Sequence, residues 1–246
     1  MPSPRSASPS TPAAEGPRPL RPAGHKRPKT ARGERTRRAI LDAALEVFAR
    51  DGFVAARVVD VAREAGVALG SVYTYFDDKR DVLAALLEGV FDELYEGSRA
   101  PLTGQDRSGA LTAGLRHYLE TYARHRRLMA LLMEATAVDG RFAEYWFSVR
   151  SRFLERIVRA LDDVRRAGRL DLEGDLVLAG SALGGMVDNF AWIWFGLGGE
   201  RLRGRPARAD VTVDEAAALL SRLWLRALFL EDGSARPDAT RSLAAG

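Results

Sequence analysis

The chain has 246 residues, 46% of them hydrophobic, and a formal net charge of +4, enough apolar content for a core of ordinary size. It has no cysteine and only three histidines (His25, His117 and His125), which excludes disulfides and thiolate metal sites and leaves too few imidazoles for zinc, so neither a metal nor a cofactor is expected. The charge is uneven: residues 1–38 hold ten of the 37 Lys and Arg but only Glu15 and Glu34, a pattern that points to a polyanionic partner for the N-terminus alone.

Residues 1–31 contain eight of the eleven prolines among Ser, Ala, Gly and Arg. This composition buries too little apolar surface to offset its ordering entropy, and the segment is predicted to be disordered. No apolar run follows the start, so a secretory leader is not expected. The segment runs into "HKRPKTARGERTRR" (residues 25–38), which reads either as a solubilising tail or as an arm that follows DNA into a groove. From residue 35, Ile40, Leu41, Ala44, Leu45 and Phe48 recur at helical spacing, and "RDG" (50–52) ends that helix on a glycine suited to a left-handed cap. A short helix is predicted at 58–65, with Val58, Val61, Ala62 and Ala65 facing inward, before Gly66 breaks it. Another follows at 69–76. Asp78, with Asp81 three residues on, resembles a capping box and opens a longer helix to about residue 96.

Residues 101–108 read as a linker, and no period-two strand pattern appears after it. Helices are predicted at 109–123, 126–137, 141–167, 173–195 and 212–230, with a loop at 196–210 and fraying after 232. The fold class is therefore all-α. One stretch, 176–198, is long enough to span a membrane. Asp188 near its middle would cost about 2.5–3.5 kcal/mol there, and five glycines weaken the signal further, so a buried helix of a soluble protein is expected.

Two short helices joined by a glycine turn and braced by longer ones form a helix-turn-helix arrangement, whose second helix enters the major groove. The exposed residues of such a helix must be small or able to hydrogen-bond, and Leu69, Gly70, Ser71, Tyr73, Thr74 and Tyr75 meet that demand. Lys79 would add a point charge for the DNA backbone. At residues 40–83, "ILDAALEVFARDGF" and "VVDVAREAGVALGSVYTYFDDKRDVL" resemble the N-terminal domain of the tetracycline-repressor (TetR) family of transcriptional regulators. The glycine turn, the Tyr-x-Tyr-Phe and the following lysine are all in register. That resemblance implies phosphate contacts by Tyr73, Tyr75 and Lys79, base-edge positions at Leu69, Gly70, Ser71 and Thr74, and a phosphate contact by Arg57. Two departures stand out: Arg57 replaces a frequent threonine, and Ala68 replaces a Ser or Thr cap, a change worth about 1 kcal/mol.

The expected organisation is a disordered arm at 1–31, a DNA-binding domain at 32–81, a helical ligand-binding and dimerisation domain at 82–232, and a disordered tail at 233–246. The family's last two helices form a four-helix dimer interface. Here "AGSALGGM" (179–186) and the apolar face of Leu219, Leu220, Leu223, Trp224, Ala227 and Leu228 would supply it. A ligand pocket is expected from Met129, Met133, Phe142, Trp146, Met186, Asn189, Phe190 and Trp192, with plain core as the alternative. Asp188 is expected either to serve that site or to pair with Arg150 or Arg152. No P-loop, G-x-S-x-G or H-E-x-x-H is present, so no enzyme is expected. The expected function is a cytoplasmic, nucleoid-associated regulator, most simply a repressor. It would bind a palindromic operator in double-stranded DNA as a homodimer and be released by a hydrophobic or amphipathic small molecule, with no membrane partner. The alternative is a non-specific architectural protein that relies on its basic arm.

Overall fold

A computed structural model describes residues 28–104, 106–170, 172–200 and 211–229. Most of the predicted arm (1–27), two thirds of the predicted loop (201–210) and the predicted tail lie outside the described residues. Those described form nine α-helices and one π-helical turn, with no strand among them.

Helix α1 (Ala31–Ala55) starts at a Thr30 cap whose Oγ1 accepts from the Gly33 N–H at 3.1 Å. The end of the basic tract is therefore helical, with Arg32, Arg35 and Arg38 exposed along one side. Gly52 does not adopt the expected left-handed cap. Its φ of 75° and ψ of 168° lie in a region only glycine enters readily, and the chain kinks there before a last turn at 53–55. Helices α2 (Val58–Glu64) and α3 (Leu69–Tyr75) follow. Between them Gly66 (φ 65°) closes a Schellman motif: the Val67 N–H donates to the Ala62 carbonyl and the Gly66 N–H to the Arg63 carbonyl.

Helix α4 (Lys79–Gly97) begins at Asp78, whose side chain accepts from the backbone of Arg80 and Asp81. The Asp81 carboxylate reaches back to the Asp77 N–H, one residue earlier than a capping box requires. Helices α5 (Arg107–Arg124), α6 (Arg126–Val138), α7 (Gly140–Arg166), α8 (Leu176–Ala191) and α9 (Val213–Leu228) build the body, with α5 against α9, α7 against α8, and α1 against α6. Leu83, Leu87 and Leu94 of α4 share one core with Leu119, Leu132, Leu161, Leu220 and Leu228. Helix α4 thus spans both halves of the molecule.

Helix α8 was expected to be buried and continuous to 195. Instead it widens into a π turn at Trp192–Gly196, which lets the Phe190 ring meet both Trp194 and Phe195. Within the membrane-length stretch Leu176–Gly196 only Leu176, Gly180, Val187 and Ala191 are buried. Gly180 and Gly184 lie against Leu154 and Ile157 of α7, whereas Val177, Leu178 and Ala182 point outward.

Candidate nucleic-acid interface

Helix α3 is seven residues long, so its two sides can be separated residue by residue. Val72 and the following Phe76 are buried and anchor it to α1 and α2. Leu69, Gly70, Tyr73 and Thr74 are exposed on the opposite side, with Ser71 and Tyr75 half-buried at its margins. Thr74 donates its hydroxyl proton to the Gly70 carbonyl at 3.1 Å, leaving the oxygen to accept from outside. Ala68 provides no side-chain cap, as its sequence implied, and Arg57 stands exposed just before α2.

Gly70 is the most telling of these residues. It costs an exposed helix about 1 kcal/mol relative to Ala, yet a Cβ placed there would meet nothing within 4 Å. The fold does not need the glycine. The first turns of α1 adjoin the end of α3, where Arg37 lies over the Phe76 ring.

Lys79 has a different role from the expected free charge. Its ammonium donates to the carbonyls of Phe53 at 2.8 Å, Val54 at 2.7 Å and Ala56 at 3.0 Å, using all three protons. It also lies over the Phe53 ring, and burial lowers its pKa below the ordinary lysine value. The same turn is held from the other side by Glu134 of α6, whose carboxylate accepts from the N–H groups of Phe53 and Val54 at 3.1 Å each. The kink at Gly52 is therefore gripped by a cation from α4 and an anion from α6. Nearby, Asp139 between α6 and α7 binds Arg80 of α4 and Arg141 of α7. The hydrogen bonds from Arg141 and Arg80 hold its carboxyl well below the usual carboxylate range.

The eight expected pocket residues are not gathered into a site. Met129 and Phe142 are fully packed in the core, Phe142 edge-on to Phe53, and Asn189 is exposed. Met133, Trp146, Met186 and Trp192 are half-buried and pack against the core, and Phe190 stacks on Trp194. A cavity in the body, half open to solvent, lies elsewhere, between the α4–α5 connection, α5, α7, α8 and α9, and none of the eight lines it. Its volume is about 110 Å³, and its wall is mostly apolar, with Leu115, Phe153, Ile157 and Trp224 prominent. Phe190 alone of the eight lines a shallow pocket beside α9. Asp188 does pair with Arg150, one of its two expected partners, and accepts from the Tyr118 hydroxyl at 2.8 Å. Burial raises the Asp188 carboxyl against both partners.

Two residues of consequence were not singled out from the sequence. Glu134 is the lone charge in "MALLMEATA", and Arg156 occupies the apolar stripe that also carries Phe153, Ile157 and Ala160. An ionisable residue on an otherwise apolar stripe is the signal that finds both.

A helix-turn-helix head on an all-helical body is the architecture of a DNA-binding transcriptional regulator. Residues 40–86 match the family of bacterial regulatory proteins described as the tetR family. The chain is 29% identical to the HTH-type transcriptional regulator SrpR of Pseudomonas putida over 186 residues, covering 75% of this chain and 84% of that one. It is 25% identical to a fatty acid metabolism regulator protein of Bacillus subtilis over 159 residues, or 63% and 81% of the two chains. Among solved structures it resembles the SmeT–triclosan complex, with a TM-score of 0.62 and 25% identity over 81% of this chain and 93% of that one. Residues 40–86 thus carry the DNA-binding domain of the TetR family, and the chain is a DNA-binding regulator of transcription.

Proposed function

We propose that the protein is a homodimeric, sequence-specific repressor that binds a palindromic operator and releases it when a small apolar or amphipathic molecule enters the body. The observation that carries the DNA half of this reading is the outward face of α3, where Gly70 leaves open space that the fold itself does not use. Leu69, Gly70, Ser71 and Thr74 are assigned to base edges and Arg57, Tyr73 and Tyr75 to phosphates. Lys79 supports the site from behind rather than touching DNA. The basic edge formed by Arg32, Arg35 and Arg38 extends the phosphate contacts. The divisions at 31/32, 81/82 and 232/233 belong to the same proposal.

The dimer rests on two unpartnered apolar stripes. On α9, Leu220, Trp224 and Leu228 face inward, while Leu219 and Leu223 are 42% and 45% exposed. On α8, Leu178 is 70% exposed beside Val177 and Ala182. Pairing these stripes across a two-fold axis buries them and sets two α3 helices against half-sites about 34–36 Å apart. It also explains a membrane-length helix with an apolar outer side in a cytoplasmic protein.

The effector half rests on the cavity. At about 110 Å³ it is smaller than the ~150 Å³ engineered cavity that takes benzene. A larger ligand that packs fully inside must push α7 or α8 outward, which gives it unequal affinity for two arrangements of the body. SmeT, a relative of similar architecture, has been solved with triclosan.

Selection of bound sequences from random duplex DNA with the full chain, at near-physiological salt, tests the reading. An enriched palindrome is expected. Tyr73→Ala should weaken binding to every sequence alike, and Ser71 or Thr74 substitutions should change which bases are preferred, at ~1–3 kcal/mol per base contact. Recovery of no sequence preference, with binding that collapses as salt rises, would instead establish the architectural alternative.

A further inference from the structure

We propose that the cavity between α5, α7, α8 and α9 takes a ligand with a compact apolar body and a single carboxylate, and that the Arg156 guanidinium holds the carboxylate. This rests on the effector reading above and names the chemistry of that effector.

The charges on the cavity wall do not cancel. Arg150 and Asp188 neutralise one another, and Tyr118 donates to the same carboxylate. Arg156 remains. Its guanidinium donates to the Tyr95 carbonyl and to the Ser98 hydroxyl at 2.9 Å, both neutral acceptors. It is half-buried and lies 4.0 Å from the Tyr95 ring centroid and 5.2 Å from that of Phe153. The acidic residue that bears on it, Glu96, is paired with Arg99 at 2.5 Å. No carboxylate forms an ion pair with Arg156 among the described residues. Burial pushes its pKa below the ordinary arginine value, the sign of a cation whose surroundings do not repay its desolvation.

An arginine has five N–H donors in a planar fork, and two are accounted for here. A second donor on the same wall has no acceptor at all. Trp224 lines the cavity with its indole N–H buried and without a hydrogen-bond partner among the described residues. Both groups can only donate. Desolvation of a guanidinium is best offset by a carboxylate that it can grip with paired N–H groups. The apolar remainder of the wall, including Leu115, Phe153 and Ile157, fits a ring system better than a second charge. A neutral ligand would leave the net positive charge in place, and a cationic one would add to it.

The test uses the full chain and three probes of one shape: 2-naphthoate, 2-naphthamide and 2-naphthylmethylammonium, titrated calorimetrically at neutral pH. Naphthoate is expected to bind at least ~tenfold tighter than the amide, with the ammonium weakest. Arg156→Gln should bring naphthoate down to the level of the amide, and Arg156→Lys should retain part of the preference. Arg156 also braces Tyr95 and Ser98, so the melting temperature of each variant is read alongside, and the comparison of three probes on the unaltered protein stands even if a variant fails to fold. Equal or tighter binding of the amide or the ammonium overturns the anionic assignment and leaves the cavity as an apolar effector site. Failure of all three to bind overturns the assignment and the effector reading of this cavity together.

Discussion

The α1–α3 head and the α5–α9 body differ in where they place their candidate functional groups. In the head these groups face outward: Gly70, Leu69, Tyr73 and Thr74 share the solvent side of a seven-residue helix whose inner side is Val72 and Phe76. In the body they face inward, as Arg156, Trp224 and the Asp188–Arg150 pair around a cavity. A surface that reads DNA must be presented, and one that receives a small molecule must be enclosed. The structural cost is accordingly carried by helix propensity in the head and by buried polar groups in the body.

The largest effect is expected at the joint between the two halves. Replacing Lys79 by Met leaves three carbonyls without their donor and should lower the unfolding free energy by about 3 kcal/mol, read from the urea midpoint. Among molecules that stay folded, the salt slope of DNA binding should not change, because the ammonium is engaged within the protein. A slope reduced by about one would show a phosphate contact and return Lys79 to the DNA face.

Within the head, Gly70→Ala should make the protein more stable by about 0.5–1 kcal/mol, since the new methyl meets no neighbour. Operator affinity should nevertheless fall at least ~tenfold, or about 1.4 kcal/mol. Stabilisation with unchanged affinity would place the recognition surface on another side of α3.

The smallest effect is a pH dependence at the α4–α7 contact. Asp139 has a depressed pKa in the folded state, so its stabilisation is present above the unfolded value of about 4 and fades as pH drops toward the folded one. Asp139→Asn should therefore cost about 1 kcal/mol at pH 7, and the gap from the unaltered protein should narrow below about pH 4. A gap that stays constant between pH 7 and pH 3 would show that the carboxylate charge contributes nothing there.

The two halves also differ in how far the sequence discloses them. Helices α2 and α3 end within one residue of where glycine placement and apolar spacing put them, because a turn such as that at Gly66 is a local matter. The cavity was not legible in this way. Met129 and Phe142 have the same helical spacing as lining residues, and only the packing of five distant segments decides which apolar side chains meet space and which meet one another. Asp188 was a legible signal, since a carboxylate inside an apolar helix demands a partner, and Arg150 is that partner. Arg156 offered a similar signal on α7, and Glu134 on α6.

The grip on residues 52–56 has a consequence for exchanging parts between regulators. Phe53 and Glu134 lie 81 positions apart in the chain, yet they meet in one hydrogen bond that fixes the end of α1. A chimaera that joins this head to a foreign body at the α4–α5 connection would keep Lys79 and lose the carboxylate, leaving two amides at the kink without their acceptor. Grafting succeeds, on this geometry, only where the receiving body already carries an acidic side chain at the equivalent turn of α6. The unit of inheritance is then the head together with one residue of its host.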